Sequence, residues 1–436
     1  MSGDPSGLAA RQRIEAIIRS LEESGGRAAP VEESTALAMS QPRVVSDLVI
    51  AVMRRFPEGG TFLDAALSYL PPEKWPLLVE VALEALESPT ATNIGAAESV
   101  ICYASFQCPS ALHAHLNRIF RIRPNAGTYF EPYPWRESGD RHLAYLQGIM
   151  EDPNRATEEC RRAWAALCQT RTSRAIEVAV SQANTVKPPD GSVEQWLEVE
   201  LHVVGFHREG SSLGRLCPHV LYHIQFDERF FERLSRPPWL AWVHPTWRLP
   251  GRANSASFGG VSQAKCSVCG SSLHRLLILD PVPSGVGITR LRKVELATCL
   301  SCLGWEVPRL FYRHDASGTP RNVNYDGPLV RPEFPVGPLR EAVVGLAETP
   351  PRWYWQDWGC SNSRENLNRV GGEPCWIQNP EYPRCPSCAD IMPYLFQLDS
   401  DLPTADGGEW LWGSGGILYG FWCDGCQISG FLWQCT

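Results

Sequence analysis

Two segments of this chain share one pattern without a gap: "CSVCGSSLHRLLILD", Cys266 to Asp280, and "CPSCADIMPYLFQLD", Cys385 to Asp399. Each opens on a CxxC pair, continues into an apolar run and ends in Asp, with Leu276 and Leu279 matching Leu395 and Leu398. A Gly-Gly precedes each, Gly259–Gly260 and Gly371–Gly372, and a second CxxC follows each, Cys299/Cys302 after 29 intervening residues and Cys423/Cys426 after 34. Sixteen cysteines in 436 residues would give about 0.6 CxxC pairs by chance, so four pairs at repeated spacing need a cause. The chain carries an internal duplication.

Spacing selects the chemistry. The opening segment "MSGDPSGLAARQRIEAIIRSLEE" has no cationic region leading into an apolar core, and no stretch approaches 18 uninterrupted apolar residues. A cytoplasmic chain is expected, and in a reducing compartment clustered cysteines read as metal ligands before disulfides. A CxxC on a tight turn aims two thiolates to one side, and two such knuckles complete a tetrahedron around Zn²⁺. The expected structural zinc sites are Cys266, Cys269, Cys299 and Cys302, then Cys385, Cys388, Cys423 and Cys426. Four sulfur ligands leave no position for water, so each metal holds hairpins together, with apparent binding free energy of about 10 to 16 kcal/mol. Other readings exist. "CPSC" resembles a thioredoxin-type redox pair, but strand-like sequence follows it rather than a helix start. Iron on four thiolates is an alternative. His207 and Glu209 form an HxE like that of zinc deaminases, but Arg384 stands where that signature wants Pro.

Composition divides the chain. At 44% hydrophobic and 20% charged it reads as globular and long enough for two or three domains, so nothing in its size demands a staple. Net charge of −8 gives no sign of the broad basic face that nucleic-acid binding uses. Residues 1–190 read as successive amphipathic helices, for example "EKWPLLVEVALEALESP" and "RATEECRRAWAALCQ", which form either a HEAT-like array or an irregular helical domain. A boundary is expected in "TVKPPDGS", Thr185 to Ser192. Residues 191–345 and 346–436 are aromatic-rich, with strands expected at "WLEVELHVVGF", "HVLYHIQFDERFF", "WLAWVHPTW", "HRLLILD", "YLFQLD", "GILYGFWC" and "SGFLWQC", and one helix at Val336 to Glu348. The fold class is α+β: an all-α domain, then a β-rich duplicated domain with two zinc ribbons.

The remaining candidates read more plainly. Cys102, Cys108, Cys160, Cys168, Cys217, Cys360, Cys375 and Cys435 read as core filling. His219 and His223 would share a strand face and could bind metal, though satisfied histidines are the commoner case. "RLRK", Arg290 to Lys293, reads as a hairpin tip, and Asp280 and Asp399 read as strand-end turn residues. No P-loop, nucleophile elbow, dinucleotide fingerprint or HExxH is present, and no enzyme is expected.

The segment "VGGEPCWIQNPEYPRCPSCADIMPYLFQLDSD", followed by "LYGFWCDGCQISGFLWQ", resembles the YwqG-like domain of unknown function. Gly371, Gly372, Pro374, Trp376, Ile377 and Gln378, then Gln397, Leu398 and Asp399, carry the resemblance. The same superfamily, TYPP, is similar to the duplicated zinc-bearing domain of programmed cell death protein two, and the full cysteine set here leans to that eukaryotic-type pattern. The likeness runs tightly from about Leu367 to Gln434 and loosely back to about Trp239. It implies a binding protein: bacterial relatives are presumed immunity proteins at polymorphic toxin loci, and eukaryotic relatives escort a small-subunit ribosomal protein. The expectation is a non-enzymatic protein-binding module of the immunity type, with a basic toxin or ribosomal protein as partner and no membrane. An RNA-associated factor using Trp353, Trp355 and Trp358 as stacking platforms is the rival, and an enzyme of unknown chemistry the third reading.

Overall fold

The computed structural model describes residues 5–24, 30–56, 63–88, 95–122, 133–186, 192–210, 212–232, 244–250, 254–323, 327–362 and 364–436. The chain divides into two compact units, Met1–Val204 with Pro351–Trp355, and Gly205–Pro350 with Gln356–Thr436. The boundary expected in Thr185 to Ser192 falls largely on residues 187–191, outside the described residues. Among the described residues no helix is long and apolar enough to cross a membrane.

The first unit is helical: α1 (Pro5–Glu23), α2 (Val31–Ser40), α3 (Val45–Arg55), α4 (Leu63–Leu67), α5 (Trp75–Glu87), α6 (Gly95–Gln107), α7 (Leu116–Arg121), α8 (Leu143–Glu151), α9 (Thr157–Thr170), α10 (Ser173–Gln182) and α11 (Val193–Val203). In α5, Pro76 sits in the first turn and Trp75, Leu78, Val79, Ala82, Leu83 and Leu86 are buried at helical spacing, so one face packs on α6 while the other stays wet. Helix α11 overturns the strand expected at "WLEVELHVVGF". Its alternating apolar residues suggested a strand, but Ser192 caps the helix by accepting the N–H of Gln195 at 3.1 Å. Leu197 and Leu201, four apart, face the core, and Val199 and Val203 stay exposed.

Residues Pro351–Trp355 also belong to this unit. One Arg352 nitrogen donates to the Ser68 carbonyl (3.1 Å), the Leu70 carbonyl (2.5 Å) and Gln107 Oε1 (3.2 Å), satisfying chain-end groups around α4 and α6. Trp355 donates its indole N–H to Glu137 Oε1 at 2.6 Å and lies beneath the Arg171 and Arg136 guanidinium groups, at 4.7 and 5.2 Å from its ring. Trp353 is buried. These two tryptophans, which the rival RNA reading would use as base platforms, pack within the helical unit.

The second unit is built from β1 (Phe206–Glu209), β2 (Ser212–Arg215), β3 (Leu221–Gln225), β4 (Asn254–Phe258), β5 (Val261–Lys265), β6 (Ser272–Leu279), β7 (Val294–Thr298), β8 (Leu310–His314), β9 (Pro320–Asn322), β10 (Ala342–Glu348), β11 (Arg369–Gly371), β12 (Tyr394–Asp399), β13 (Leu402–Pro403), β14 (Glu409–Trp410), β15 (Ile417–Cys423) and β16 (Ile428–Gln434), with the short helix α12 (Trp358–Ser361). Strands β1 and β2 form one hairpin and β13 with β14 another; the rest form one antiparallel twelve-stranded sheet. The helix expected from Val336 to Glu348 is instead strand β10. Pro335 and Pro338 remove donors from its front half, and β10 pairs with β4 and β3; Val344 to Ala347 are buried in succession while Val343 stays 75% exposed, so no clean alternation marks the strand. In "WLAWVHPTW" residues 239–243 lie outside the described residues, and Pro245–Arg248 is a 3-10 turn rather than a strand.

The duplication is visible in the hydrogen-bond register. Strand β6 pairs β7 with a bulge between Arg275 and Leu277, and β12 pairs β15 with a bulge between Tyr394 and Phe396, the equivalent positions. Ser257 faces Ile278 where Arg369 faces Gln397, and Lys265 faces Ser272 where Arg384 bridges Ile391. Equivalent strands β8 and β16 pair antiparallel with each other. The first strands of the two halves are exchanged: β10, from the second half, pairs β4 of the first, and β3, from the first, pairs β11 of the second. Strands β3 and β10 also pair with each other, so the expected units 191–345 and 346–436 are interleaved in one sheet and residue 345 lies within β10.

Each Gly-Gly turns the chain at this crossing. Gly259 and Gly371 both have φ +76°, and a Cβ on either would lie 2.2 Å from a carbonyl oxygen, that of Arg340 or of Val220. Gly371→Ala is therefore expected to cost about 2 kcal/mol or more, read as a fall in Tm of several degrees by calorimetry; an unchanged Tm would contradict the crossing geometry.

Candidate metal centres

The structure brings together the eight expected cysteines in two groups, Cys266, Cys269, Cys299 and Cys302, and Cys385, Cys388, Cys423 and Cys426, each with its four sulfurs within 4.8 Å of one another. The local fold explains why. Cys266 ends the β5 side of a hairpin whose turn closes by Cys266 N–H to the Ser271 carbonyl (2.8 Å) and Gly270 N–H to the Cys266 carbonyl (2.9 Å), with Gly270 at φ +76°. The second group repeats this at Cys385 N–H to Asp390 (2.8 Å) and Ala389 N–H to Cys385 (2.9 Å), where an alanine takes the positive φ of +64°. The other two knuckles follow β7 and β15, and in each a residue just beyond the second cysteine, Gly304 or Gln427, turns left-handed at φ +79° and +54°.

The distances fit a metal. Cys269 Sγ lies 3.7 Å from Cys299 Sγ, and Cys388 Sγ lies 3.7 Å from Cys423 Sγ. A tetrahedron with metal–sulfur bonds of about 2.3 Å has sulfur–sulfur edges of about 3.8 Å, whereas a disulfide is about 2.05 Å. Protons are shared unevenly within the first group. The Cys266 thiol sits far below its ordinary value because the Cys299 and Cys302 thiols hydrogen-bond to its sulfur, and those two are pushed up by sharing protons with it. Burial pushes Cys423 up to about 11. Were all four deprotonated, a cation between them would offset the repulsion. Each group could hold a metal ion.

The two centres differ in surroundings. Cys266, Cys299 and Cys302 are buried in the larger core of the sheet and Cys269 is half-buried; Cys385 and Cys423 are buried, Cys426 half-buried and Cys388 exposed. The "RLRK" tip serves the second centre: Thr289 donates its N–H and hydroxyl to the Asp424 carboxylate (3.0 and 2.5 Å), and Arg290 donates to the Gly425 carbonyl (3.3 Å).

The other sequence candidates do not join these groups. His207 lies on the β1–β2 hairpin opposite Gly214. His219 is exposed, whereas His223 is buried on β3. Asp280 pairs with Lys293 at 3.3 Å; Asp399 accepts the Ser400 N–H at 2.9 Å, the turn role expected of it. Cys102, Cys168, Cys217 and Cys375 are buried, and Cys108, Cys160, Cys360 and Cys435 half-buried.

Sequence reading missed a buried polar network centred in the second half. Arg369, wholly buried, donates to Gln356 Oε1 (3.0 Å), the Glu373 carbonyl (2.6 Å) and Cys375 Sγ (2.9 Å). Gln356 donates in turn to Glu365 Oε2 (2.7 Å), and its Oε1 lies 3.2 Å from His223 Nε2, whose Nδ1 is 2.7 Å from Thr349 Oγ1. Burial pushes the Cys375 thiol up to about 11, so it is a neutral member of the network rather than a nucleophile. The arginine and glutamate meet through one amide, a pairing across the fold that no local spacing announces.

Over 71 residues the chain is 39% identical to the uncharacterized protein YpfL of Salmonella typhimurium (strain LT2), a stretch covering 16% of this chain and 15% of that protein. No family profile and no solved structure matches the chain.

Cys385→Ser is expected to lower the metal content of the purified protein by about one ion per chain, measured by elemental analysis, with the other centre still loaded; an unchanged metal content would remove the assignment. A second expectation concerns His223, held down to about 3 by burial and by the Arg369 charge, and His314, held down to about 4 by burial. Both stay neutral when folded but take up a proton near their ordinary value when unfolded. Stability therefore falls as pH drops below about 6.5 toward these values. Their ring resonances should not titrate between pH 7 and 5 in the folded protein; midpoints near 6.5 by NMR would contradict the burial.

Proposed function

We propose that this chain is a non-enzymatic, zinc-stabilised protein-binding scaffold that masks a basic protein partner, in the manner of an immunity protein. The observation that carries this reading is the donor set. In each centre all four tetrahedral positions are taken by cysteine sulfur, so a bound ion has no site for water or substrate and serves to join knuckles. Tetrahedral sulfur ligation suits zinc or iron, and the closed arrangement favours zinc as scaffolding. Net charge of −8 would steer a basic partner. An apolar ridge flanks the first centre: Leu329, Phe334 and Trp305 are 68%, 47% and 41% exposed, and Trp305 packs on Trp433 and Phe334 with ring centres 5.4 and 4.8 Å apart. Exposed aromatic clusters of this kind are common at protein interfaces. The likeness of Gly371 to Asp399 to the YwqG-like domain points the same way.

Affinity capture with the full chain from extracts of its native host is expected to recover one basic protein in near-stoichiometric amount, with association that slows as salt is raised. Recovery of no stoichiometric protein, or of RNA alone, would overturn the reading.

A further inference from the structure

We propose that the second cysteine centre is an oxidant-responsive metal site while the first is shielded, an asymmetry that rests on both groups holding zinc. The two halves share strand register down to a bulge, so the difference lies in what covers the knuckles.

A strap, residues 329–336, crosses both knuckles of the first centre. Val330 donates its N–H to the Val268 carbonyl (2.8 Å), inside the first CxxC, and Val336 donates to Ser301 Oγ (3.0 Å), inside the second. Glu333 donates its N–H to Glu306 Oε1 (2.8 Å), and the Val336 carbonyl lies 2.9 Å from His274 Nε2. Leu329 sits 3.4 Å from the place a Cβ on Gly270 would occupy, closing the turn. The second centre has its own bridge, β8, whose Arg313 side chain reaches Ser387 and whose His314 donates its N–H to the Gln427 carbonyl (2.8 Å), yet it leaves Cys388 exposed. Its Cys423 knuckle is held by Thr289 and Arg290, and its Cys385 knuckle by Arg313, which donates to Ser387 Oγ at 2.6 Å. Cys388 is left exposed, with Cys423 Sγ 3.7 Å away. The Cys388 turn also uses Ala389 at φ +64° where the first centre uses glycine, so that turn relies more on its metal for its shape.

The chemistry closes with hydrogen peroxide as oxidant. The exposed Cys388 thiolate attacks one peroxide oxygen, the O–O bond breaks, and a sulfenic acid and hydroxide form. The Cys423 thiolate then attacks the Cys388 sulfur and expels a second hydroxide, leaving a disulfide. Two thiolates lose two electrons, peroxide gains two, and Zn²⁺ keeps only Cys385 and Cys426 and departs. Release would loosen the Arg384 to Ile391 turn beside Tyr382, Trp376 and Met392, which pack in the smaller core.

The test uses full-length protein loaded with two zinc ions per chain, exposed to hydrogen peroxide with a chromophoric zinc chelator present. One ion should leave at least about ten times faster than the other, peptide mapping should find Cys388 joined to Cys423, and thiol reductant with added zinc should restore the loaded form. In Val330→Pro, which removes the strap's bond to Val268, the slow ion should become fast while the fast one is unchanged. Equal release from both centres in the unaltered protein, or a disulfide mapped to the first centre, would overturn the proposal and leave the scaffold reading intact. Protein that carries no zinc as isolated would overturn both.

Discussion

Like charges held close are the constraint on which the β-rich unit turns. Two thiolates about 4 Å apart repel by about 4 kcal/mol at the effective dielectric near a protein surface, and each centre gathers four sulfurs within 4.8 Å. Without a cation the protons redistribute, leaving Cys266 as the acidic member and Cys299 and Cys302 as thiols. A bound dication would replace this sharing with ligation by all four sulfurs. The hairpins that carry the knuckles are short, and the knuckle turns include left-handed residues that are not glycine, Ala389 and Gln427, so a bound metal would hold turns that the backbone alone disfavours.

The sheet sets those hairpins where they must be. Strands β6 and β12 are the longest shared elements of the two halves, and each carries its bulge at the leucine that sequence comparison aligns, Leu276 and Leu395. A bulge turns the strand more strongly, which here lets one strand serve the core at one end and a knuckle at the other. The polar network around Arg369 joins second-half residues to His223 on β3 of the first half. The equivalent first-half position is Ser257, exposed on its strand, so duplication kept the backbone while the interior diverged.

What could be read from the chain follows physical range. The cysteine groups were legible because their spacing is local and fixed by the turn that builds them. Helices such as α5 were legible because one face is apolar and Pro76 sits in the first turn. Strand β10 and helix α11 were misread because their patterns mislead: β10 buries Val344 to Ala347 in succession and so shows no strand alternation, and α11 carries alternation that a serine cap overrides. The Arg369 network joins residues 223, 349, 356, 365, 369 and 375, which only the folded sheet brings together, and the strand exchange leaves no mark in composition at all.

That exchange has a structural corollary. A solitary copy of the repeat would keep its β4 equivalent paired on one edge and leave the other edge open, the edge that the opposite half fills here. Within one chain the two halves thus exchange a strand as the subunits of a domain-swapped homodimer do, so neither half closes its sheet without the other.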